Sequence, residues 1–223
     1  MDLPNCERAR ALAEELGPSV RFYKLGLELM MSGGYFELLD WLLARDKKVF
    51  ADLKFFDIPA TVGSAVRQLQ SRGASFVTVH GNQAIMEAAA ANKGESLKVL
   101  AVTVLTSLDR GDLDDLGFAC DVEALVLSRA RRALEAGCDG VISSGLEAPL
   151  LRRDIDRRLI VVTPGIRPVD NRETGDQKRV VDVAQAFENG ADYIVVGRPI
   201  RDAADPRAAA EAIQATIAAR FGA

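Results

Sequence analysis

Residues 49–62 have the sequence VFADLKFFDIPATV, in which an apolar run passes directly into polar residues. The first half has the composition of a β-strand, and since side chains alternate between the two faces of a strand, Asp52 and Lys54 lie on the same face. Asp57 follows just past the strand, and Pro59 is typical of the first turn of a helix. A carboxylate, an ammonium group and a second carboxylate therefore gather where a strand gives way to a helix.

Outward from this segment, strand patterns and helix patterns alternate along the chain. Apolar residues at helical spacing and terminal Gly or Pro residues mark the helices, whereas short Val-, Ile- and Leu-rich runs mark the strands. The strand that begins at residue 49 is the second of seven predicted strands; the others cover residues 20–25, 75–80, 98–105, 140–143, 159–163 and 193–196. Predicted helices cover residues 5–16, about 30–44, 59 to about 73, 82–92, 122–136, 147–153, 179–189 and 206–221, with a helical turn at 113–116.

Repeating βα units of this kind predict parallel strands joined by helical crossovers. Eight units make a (β/α)₈ TIM barrel, and here the leading helix has no strand before it, because residues 1–4 are too few to form one. We therefore predict an α/β fold, a TIM barrel with its first strand truncated at the N-terminus. The length of 223 residues suits one barrel, so residues 1–223 are predicted to be a single domain.

Composition excludes several classes of function. With 28 basic and 32 acidic residues the net charge is −4, which argues against a nucleic-acid partner. No apolar run approaches the roughly 20 residues that cross a bilayer, and the N-terminus resembles neither a signal nor a transit peptide, so a cytoplasmic location is expected. Cys6, Cys120 and Cys138 are far apart and His80 is the single histidine, so no metal site is predicted.

Polar residues at the predicted C-terminal ends of the strands form the candidate site, because ligands of parallel α/β folds bind there. Lys24, Asp52, Lys54 and Asp57 can make a row of alternating charges, which avoids burying an unpaired charge. The row fits catalysis, and it fits equally well a structural ion-pair network that closes the barrel mouth. The residues alone do not choose between these interpretations.

A second group of residues suits an anion. Gly197 and Arg198 follow the last strand, where a glycine lets backbone N–H groups approach a phosphate and an arginine adds a bidentate fork. Arg167 and Gln177 lie at the two ends of a long polar loop and could reach the same anion. This loop is either a lid that closes on a ligand or a solvated surface loop.

Residues 51–62 resemble the D-x-K-x-x-D-I-P-x-T signature of the orotidine 5'-phosphate decarboxylase family. Further motifs of that family match in the expected order, and the resemblance runs from Asp2 to the C-terminus. These motifs are YKLG around Lys24, VLTS around Thr106, PGIR at 164–167, GDQ at 175–177 and VGRP at 196–199. Phe56 and Ala60 stand where many members have His and Asn.

The resemblance implies a (β/α)₈ barrel that converts orotidine 5'-phosphate to UMP and CO₂ without a metal or an organic cofactor. It implies that Lys54 protonates C6 of the pyrimidine, that Asp52 lies close to the substrate carboxylate, and that Lys24 orders Asp52. A homodimer is implied, in which Asp57, Ile58 and Thr61 reach the neighbouring subunit's site. The implied substrate-binding residues are Asp2, Ile58, Thr61, Thr106, Arg167, Gln177, Gly197 and Arg198.

Two alternatives stay open beside this interpretation. The first is a Mg²⁺-dependent sugar-phosphate decarboxylase or aldolase of the same superfamily, which shares D-x-K-x-x-D. That branch usually follows it with Ala-Gly rather than Ile58 and Pro59, and carries a metal-binding Glu where this chain has Lys24. A lysine ammonium group there would repel the metal. The second alternative is an inactive phosphate-binding barrel.

Overall fold

A curled parallel sheet is the core of the protein, in a computed structural model that describes residues 1–167 and 179–222. The strands follow one another in the sheet in chain order, and each neighbouring pair is parallel. Strands β1 to β7 are Phe22–Leu25, Lys48–Phe55, Phe76–Val79, Lys98–Val102, Gly140–Ile142, Ile160–Thr163 and Tyr193–Ile194. This arrangement confirms the predicted parallel α/β fold.

Helices connect the strands and cover the outer face of the sheet. Several begin where an Asn or Asp side chain accepts a hydrogen bond from a backbone N–H group of the first turn, which satisfies an otherwise unpaired donor. These capping residues are Asn5, Asn82, Asp109, Asp121, Asp182 and Asp205. Helices α1 to α11 are Cys6–Leu16, Leu27–Met31, Tyr35–Leu43, Pro59–Ser71, Gln83–Ala91, Arg110–Asp115, Val122–Glu135, Ala148–Asp154, Val183–Glu188, Arg198–Arg201 and Pro206–Phe221.

Two helix predictions were wrong in detail. The helix predicted over residues 30–44 is divided into α2 and α3, because Gly33 and Gly34 have φ angles of 81° and 72°, in the left-handed region that glycine tolerates. The helix predicted from residue 179 begins only at Val183, after the cap formed by Asp182. The short helix α10 was not predicted.

Aromatic side chains inside the sheet show how strongly it curls. The ring of Phe76 on β3 lies 5.0 Å from that of Phe22 on β1 and 5.1 Å from that of Tyr193 on β7, measured between ring centroids. Phe22 and Tyr193 are themselves 6.0 Å apart. Side chains from the first, middle and last strands thus meet in one interior, as they do in a barrel.

The two edges of the sheet, β1 and β7, are not hydrogen-bonded to each other among residues 1–167 and 179–222. A (β/α)₈ barrel has one more strand at that place. The described part of the chain therefore supplies seven parallel strands of the TIM-barrel type, which confirms the predicted fold class.

None of the helices in the described residues is long and apolar enough to cross a membrane.

We predict that Gly140→Ala destabilises the protein by about 1–3 kcal/mol, because overpacking a close strand contact forces the backbone to shift. Gly140 pairs with Ile160 in the sheet, and a Cβ atom at Gly140 would collide with the Ile160 backbone. Urea denaturation measures the change in the free energy of unfolding. Gly197→Ala is the control for the collision, since a Cβ there meets nothing within 4 Å, and it should cost less stability than Gly140→Ala.

Candidate active site

A cavity of about 820 Å³ extends from the C-terminal ends of the strands into the barrel. Its position is the one at which parallel α/β barrels bind their ligands. The cavity brings together residues that the sequence predicted separately as a charge row and an anion site. They are Asp2, Lys24, Asp52, Lys54, Thr106, Arg167, Gly197 and Arg198.

Asp52 is the centre of a row of alternating charges. Its Oδ2 atom lies 3.0 Å from Nζ of Lys24, and its Oδ1 atom accepts a hydrogen bond of 2.9 Å from Nζ of Lys54. Asp2 continues the row, with its Oδ1 atom 3.6 Å from Nζ of Lys24. Gly26 leaves the space for Asp2, because a Cβ atom at residue 26 would collide with Asp2 Oδ1.

Asp52 and Lys24 stabilise each other's charges although both are largely removed from water. Burial alone would raise the pKa of Asp52, but Lys24 and Lys54 outweigh it and hold that pKa below its ordinary value. Burial alone would lower the pKa of Lys24, but Asp52 and Asp2 outweigh it and raise that pKa. Asp52 and Lys24 are therefore both ionised at neutral pH.

Strand β2 is irregular at the row. Ala51 pairs with Val77 of β3, yet Phe55 pairs with Val79, so β2 advances four residues while β3 advances two. Lys54, in the displaced segment, has a φ angle of 49°. Such a bulge re-aims side chains next to a functional site.

Asp57 does not join the row within one chain, although the sequence placed it there. Within residues 1–167 and 179–222 it forms no ion pair, and its carboxylate accepts a hydrogen bond of 2.6 Å from the N–H group of Ile58. Asp57, Ile58 and Thr61 are all exposed, and Ile58 keeps 66% of its surface accessible. Their role in a neighbouring subunit stays a prediction.

The predicted anion site lines the same cavity. Arg167, Gly197 and Arg198 line it, and Gln177 lies outside the described residues. The backbone around Arg167 is held by a parallel bridge, in which its N–H group donates to the carbonyl of Val181 at 3.0 Å. Arg167 and Arg198 thus line one cavity, and their binding of a common anion stays a prediction.

Sequence reasoning missed a buried ion pair between Arg179 and Glu147. Arg179 Nη1 lies 2.5 Å from Oε1 of Glu147, and Arg179 Nη2 donates to the carbonyl of Leu105 at 2.9 Å, next to Thr106. One guanidinium thus contacts the loops that follow β4 and β5. Val181, two residues further along, bridges to Ile166, and its carbonyl accepts the N–H group of Arg167. No local pattern around either charge indicated the pairing.

Sequence reasoning also missed Thr78, whose side chain is fully buried on β3. Its hydroxyl group donates to Asp52 Oδ1 at 2.8 Å and accepts from the backbone N–H group of Lys54 at 2.9 Å. A usable signal was present, because Thr78 is a polar residue in an otherwise apolar strand.

We predict that Asp52→Asn lowers the free energy of unfolding by about 2 kcal/mol at pH 7, because two ammonium groups lose their shared partner. The pKa of Asp52 is lower in the folded protein, so its stabilisation is complete above the unfolded-state pKa of about 4 and is lost as the pH falls through the folded-state value. The deficit of the variant should therefore shrink below about pH 4. Urea denaturation between pH 7 and pH 3 measures it.

Asp115→Asn is the control for this prediction, because Asp115 is exposed on α6. Its effect on stability should be small at every pH. A deficit of Asp52→Asn that stays constant down to pH 3 would contradict the electrostatic explanation.

Comparison with known proteins identifies the family of this chain. Residues 1–213 match the family model described as "Orotidine 5'-phosphate decarboxylase / HUMPS family". A protein of Methylococcus capsulatus named orotidine 5'-phosphate decarboxylase is 70% identical over 100% of this chain and 92% of its own length. The protein of that name from Xanthomonas oryzae pv. oryzae is 53% identical over 100% of this chain and 91% of its own length.

Solved structures agree with this assignment. The crystal structure of orotidine 5'-phosphate decarboxylase from Lactobacillus acidophilus superposes with a TM-score of 0.85 at 36% identity, covering 97% of this chain and 96% of that one. The enzyme of that name from Pyrococcus horikoshii superposes with a TM-score of 0.75 at 26% identity, over 97% and 96% of the two chains. With the barrel and the charge row in place, the chain belongs to the orotidine 5'-phosphate decarboxylase / HUMPS family.

Proposed function

We propose that this protein decarboxylates orotidine 5'-phosphate to UMP and CO₂, a step of pyrimidine nucleotide biosynthesis. The observation that carries the proposal is the buried Lys24, Asp52 and Lys54 row at the mouth of the barrel. A chain 70% identical to this one carries the name of that enzyme. The row supplies a proton donor and a fixed arrangement of charge at one place.

In the proposed reaction the bond between C6 of the pyrimidine and the carboxylate carbon breaks. The electron pair stays on C6, CO₂ leaves, and Lys54 transfers a proton from Nζ to C6. The ammonium charge of Lys54 stabilises the negative charge that develops on C6 before the proton arrives. Charges that are already fixed by the fold need not reorganise during the reaction, and such stabilisation is often the largest contribution to catalysis.

Asp52 and Lys24 have supporting roles in this proposal. The Asp52 carboxylate holds the ammonium group of Lys54 at 2.9 Å and faces the substrate carboxylate. Lys24 neutralises part of its charge from the other side, at 3.0 Å, and contacts the ribose. Repulsion between Asp52 and the substrate carboxylate can add a ground-state effect, whose weight in enzymes is contested.

The remaining cavity residues bind the rest of the nucleotide in this proposal. Thr106 reads an edge of the pyrimidine and Asp2 contacts a ribose hydroxyl group. The phosphate is held by residues that follow the last two strands or lie in the loop between them. These residues are Arg167, Gln177, Gly197 and Arg198. Binding energy gained at the phosphate, far from C6, then contributes to the chemical step.

We also propose a cytoplasmic homodimer that completes each site. Asp57, Ile58 and Thr61 are exposed just beyond β2, and Phe56 beside them keeps 69% of its surface accessible. An apolar surface next to a charged site suits contact with a second copy of the chain. Each Asp57 would then extend the partner's charge row beyond Lys54.

The metal-dependent sugar-phosphate branch is the main alternative enzyme, because the matching family includes the HUMPS branch beside the orotidine 5'-phosphate decarboxylases. Both oxygens of Asp52 already contact lysine ammonium groups, which a bound Mg²⁺ ion would have to displace. Among the described residues there is no group of three or more His, Cys, Asp or Glu residues that could hold a metal ion. Relatives at 70% and 53% identity are named orotidine 5'-phosphate decarboxylase, which favours the metal-independent reaction.

We predict that Lys54→Ala lowers kcat by at least about a thousandfold, because it removes both the proton donor and the central positive charge. UMP should still bind, since the phosphate and ribose contacts remain. The loss of ultraviolet absorbance of orotidine 5'-phosphate measures turnover, and calorimetry measures UMP binding. Lys48→Ala is the control, because Lys48 is exposed at the other end of the same strand.

Turnover of the unmodified protein with EDTA separates the alternatives. Activity that EDTA does not change supports the proposal, and activity that EDTA abolishes supports the metal-dependent branch. A folded protein with no turnover would indicate a phosphate-binding barrel. Wild-type activity in Lys54→Ala would contradict the proposed role of Lys54 as the proton donor.

We predict that mixing Lys54→Ala with Asp57→Asn restores activity, although each variant alone is nearly inactive. In a mixed dimer one site combines an intact Lys54 with the partner's intact Asp57. Random exchange makes about half of the dimers mixed, each with one working site of two, so about a quarter of wild-type activity should return. No recovery in a mixture that has exchanged subunits would contradict a shared site.

A further inference from the structure

The backbone of Lys54 has a strained conformation. Its φ angle of 49° lies in the left-handed region, and Asp46 is the one other non-glycine residue in the described part of the chain with a positive φ. A long side chain seldom adopts this conformation, which persists only where the surroundings enforce it. A contact made by Lys54 itself must therefore hold its φ angle at this positive value.

The sheet does not supply that contact. The register shift between β2 and β3 places Lys54 outside the regular pairing of the two strands. Its N–H group donates instead to the side-chain hydroxyl of Thr78, at 2.9 Å. A side chain thus takes the place of the main-chain acceptor that a regular strand would offer.

The same hydroxyl group also fixes Asp52. It donates its single proton to Asp52 Oδ1 at 2.8 Å, and that oxygen accepts from Nζ of Lys54 at 2.9 Å. The contacts close a ring that runs from the Lys54 backbone through Thr78 and Asp52 to the Lys54 side chain. Thr78 is fully buried, so water does not compete for these bonds.

We propose that Thr78 is a positioning residue, whose hydroxyl group holds the strained backbone of Lys54 and aligns Asp52 so that the Lys54 ammonium group faces the reacting carbon. The kinetic consequence rests on the proposed function, whereas the geometric consequence does not. Without the hydroxyl group, the Lys54 backbone loses its partner and can relax to a negative φ. That change redirects the side chain and misplaces Nζ.

Thr78→Val tests the proposal, because valine keeps the branched shape of threonine and has a methyl group in place of the hydroxyl group. A misplacement of about 1 Å in a catalytic group can lower a rate by about a hundredfold, so kcat should fall about 10- to 100-fold. KM for orotidine 5'-phosphate should change less than about threefold, since Thr78 does not line the cavity. Thr78→Ser, which restores the hydroxyl group, should keep kcat within about threefold of wild type.

Thr103→Val is the matched control. Thr103 is equally buried and donates one hydrogen bond of 2.8 Å to the carbonyl of Ile142, away from the charge row. Its loss should lower the melting temperature about as much as Thr78→Val does and leave kcat unchanged. A kcat near wild type in Thr78→Val, or a Thr78→Ser protein as slow as Thr78→Val, overturns the proposal.

A crystal structure of the Thr78→Val protein provides a measurement that needs no turnover. We expect a changed φ at Lys54 and a longer distance between Lys54 Nζ and Asp52 Oδ1, and unchanged values of both overturn the proposal. If the unmodified protein shows no turnover, the proposed function fails and this structure alone decides the role of Thr78. If Thr78→Val does not fold, Thr78→Ala compared with Thr78→Ser answers the same question.

Discussion

The contact between one buried carboxylate and two ammonium groups is the interaction on which the site depends. Removing Asp52 from water is unfavourable by itself, and it becomes tolerable because Lys24 and Lys54 approach it from opposite sides at about hydrogen-bond distance. The same contacts keep Asp52 and Lys24 charged at neutral pH. The opposite charges thus allow one another to remain ionised and fixed in position inside the barrel.

The parallel sheet makes this contact possible. Neighbouring strands place Lys24 on β1, Asp52 on β2 and Thr78 on β3 within reach of one another, although they are far apart in sequence. The bulge in β2 then directs the Lys54 side chain towards Asp52. In a regular strand, two side chains that are two residues apart point the same way and approach each other less closely. The irregular part of the sheet and its chemically active part are the same few residues.

The loops after β4, β5 and β6 are connected to one another beside the cavity. Arg179 binds Glu147 and the carbonyl of Leu105, and the chain next to it forms the bridge that holds Arg167. The segment that would read the pyrimidine and the segment that would hold the phosphate therefore share supporting contacts. A ligand that meets both finds them fixed relative to each other.

Local sequence determined the alternating units and the parallel sheet, because strand and helix periods depend only on near neighbours, whereas the bulge in β2 brings Lys54 onto Asp52. Tertiary structure alone decided that Asp57 leaves the row within one chain, that Thr78 holds Lys54, and that Arg179 pairs with Glu147. Each of these depends on strand register or on loops that meet across the barrel mouth. Contacts between residues so distant in sequence leave no period in the chain from which they could be predicted.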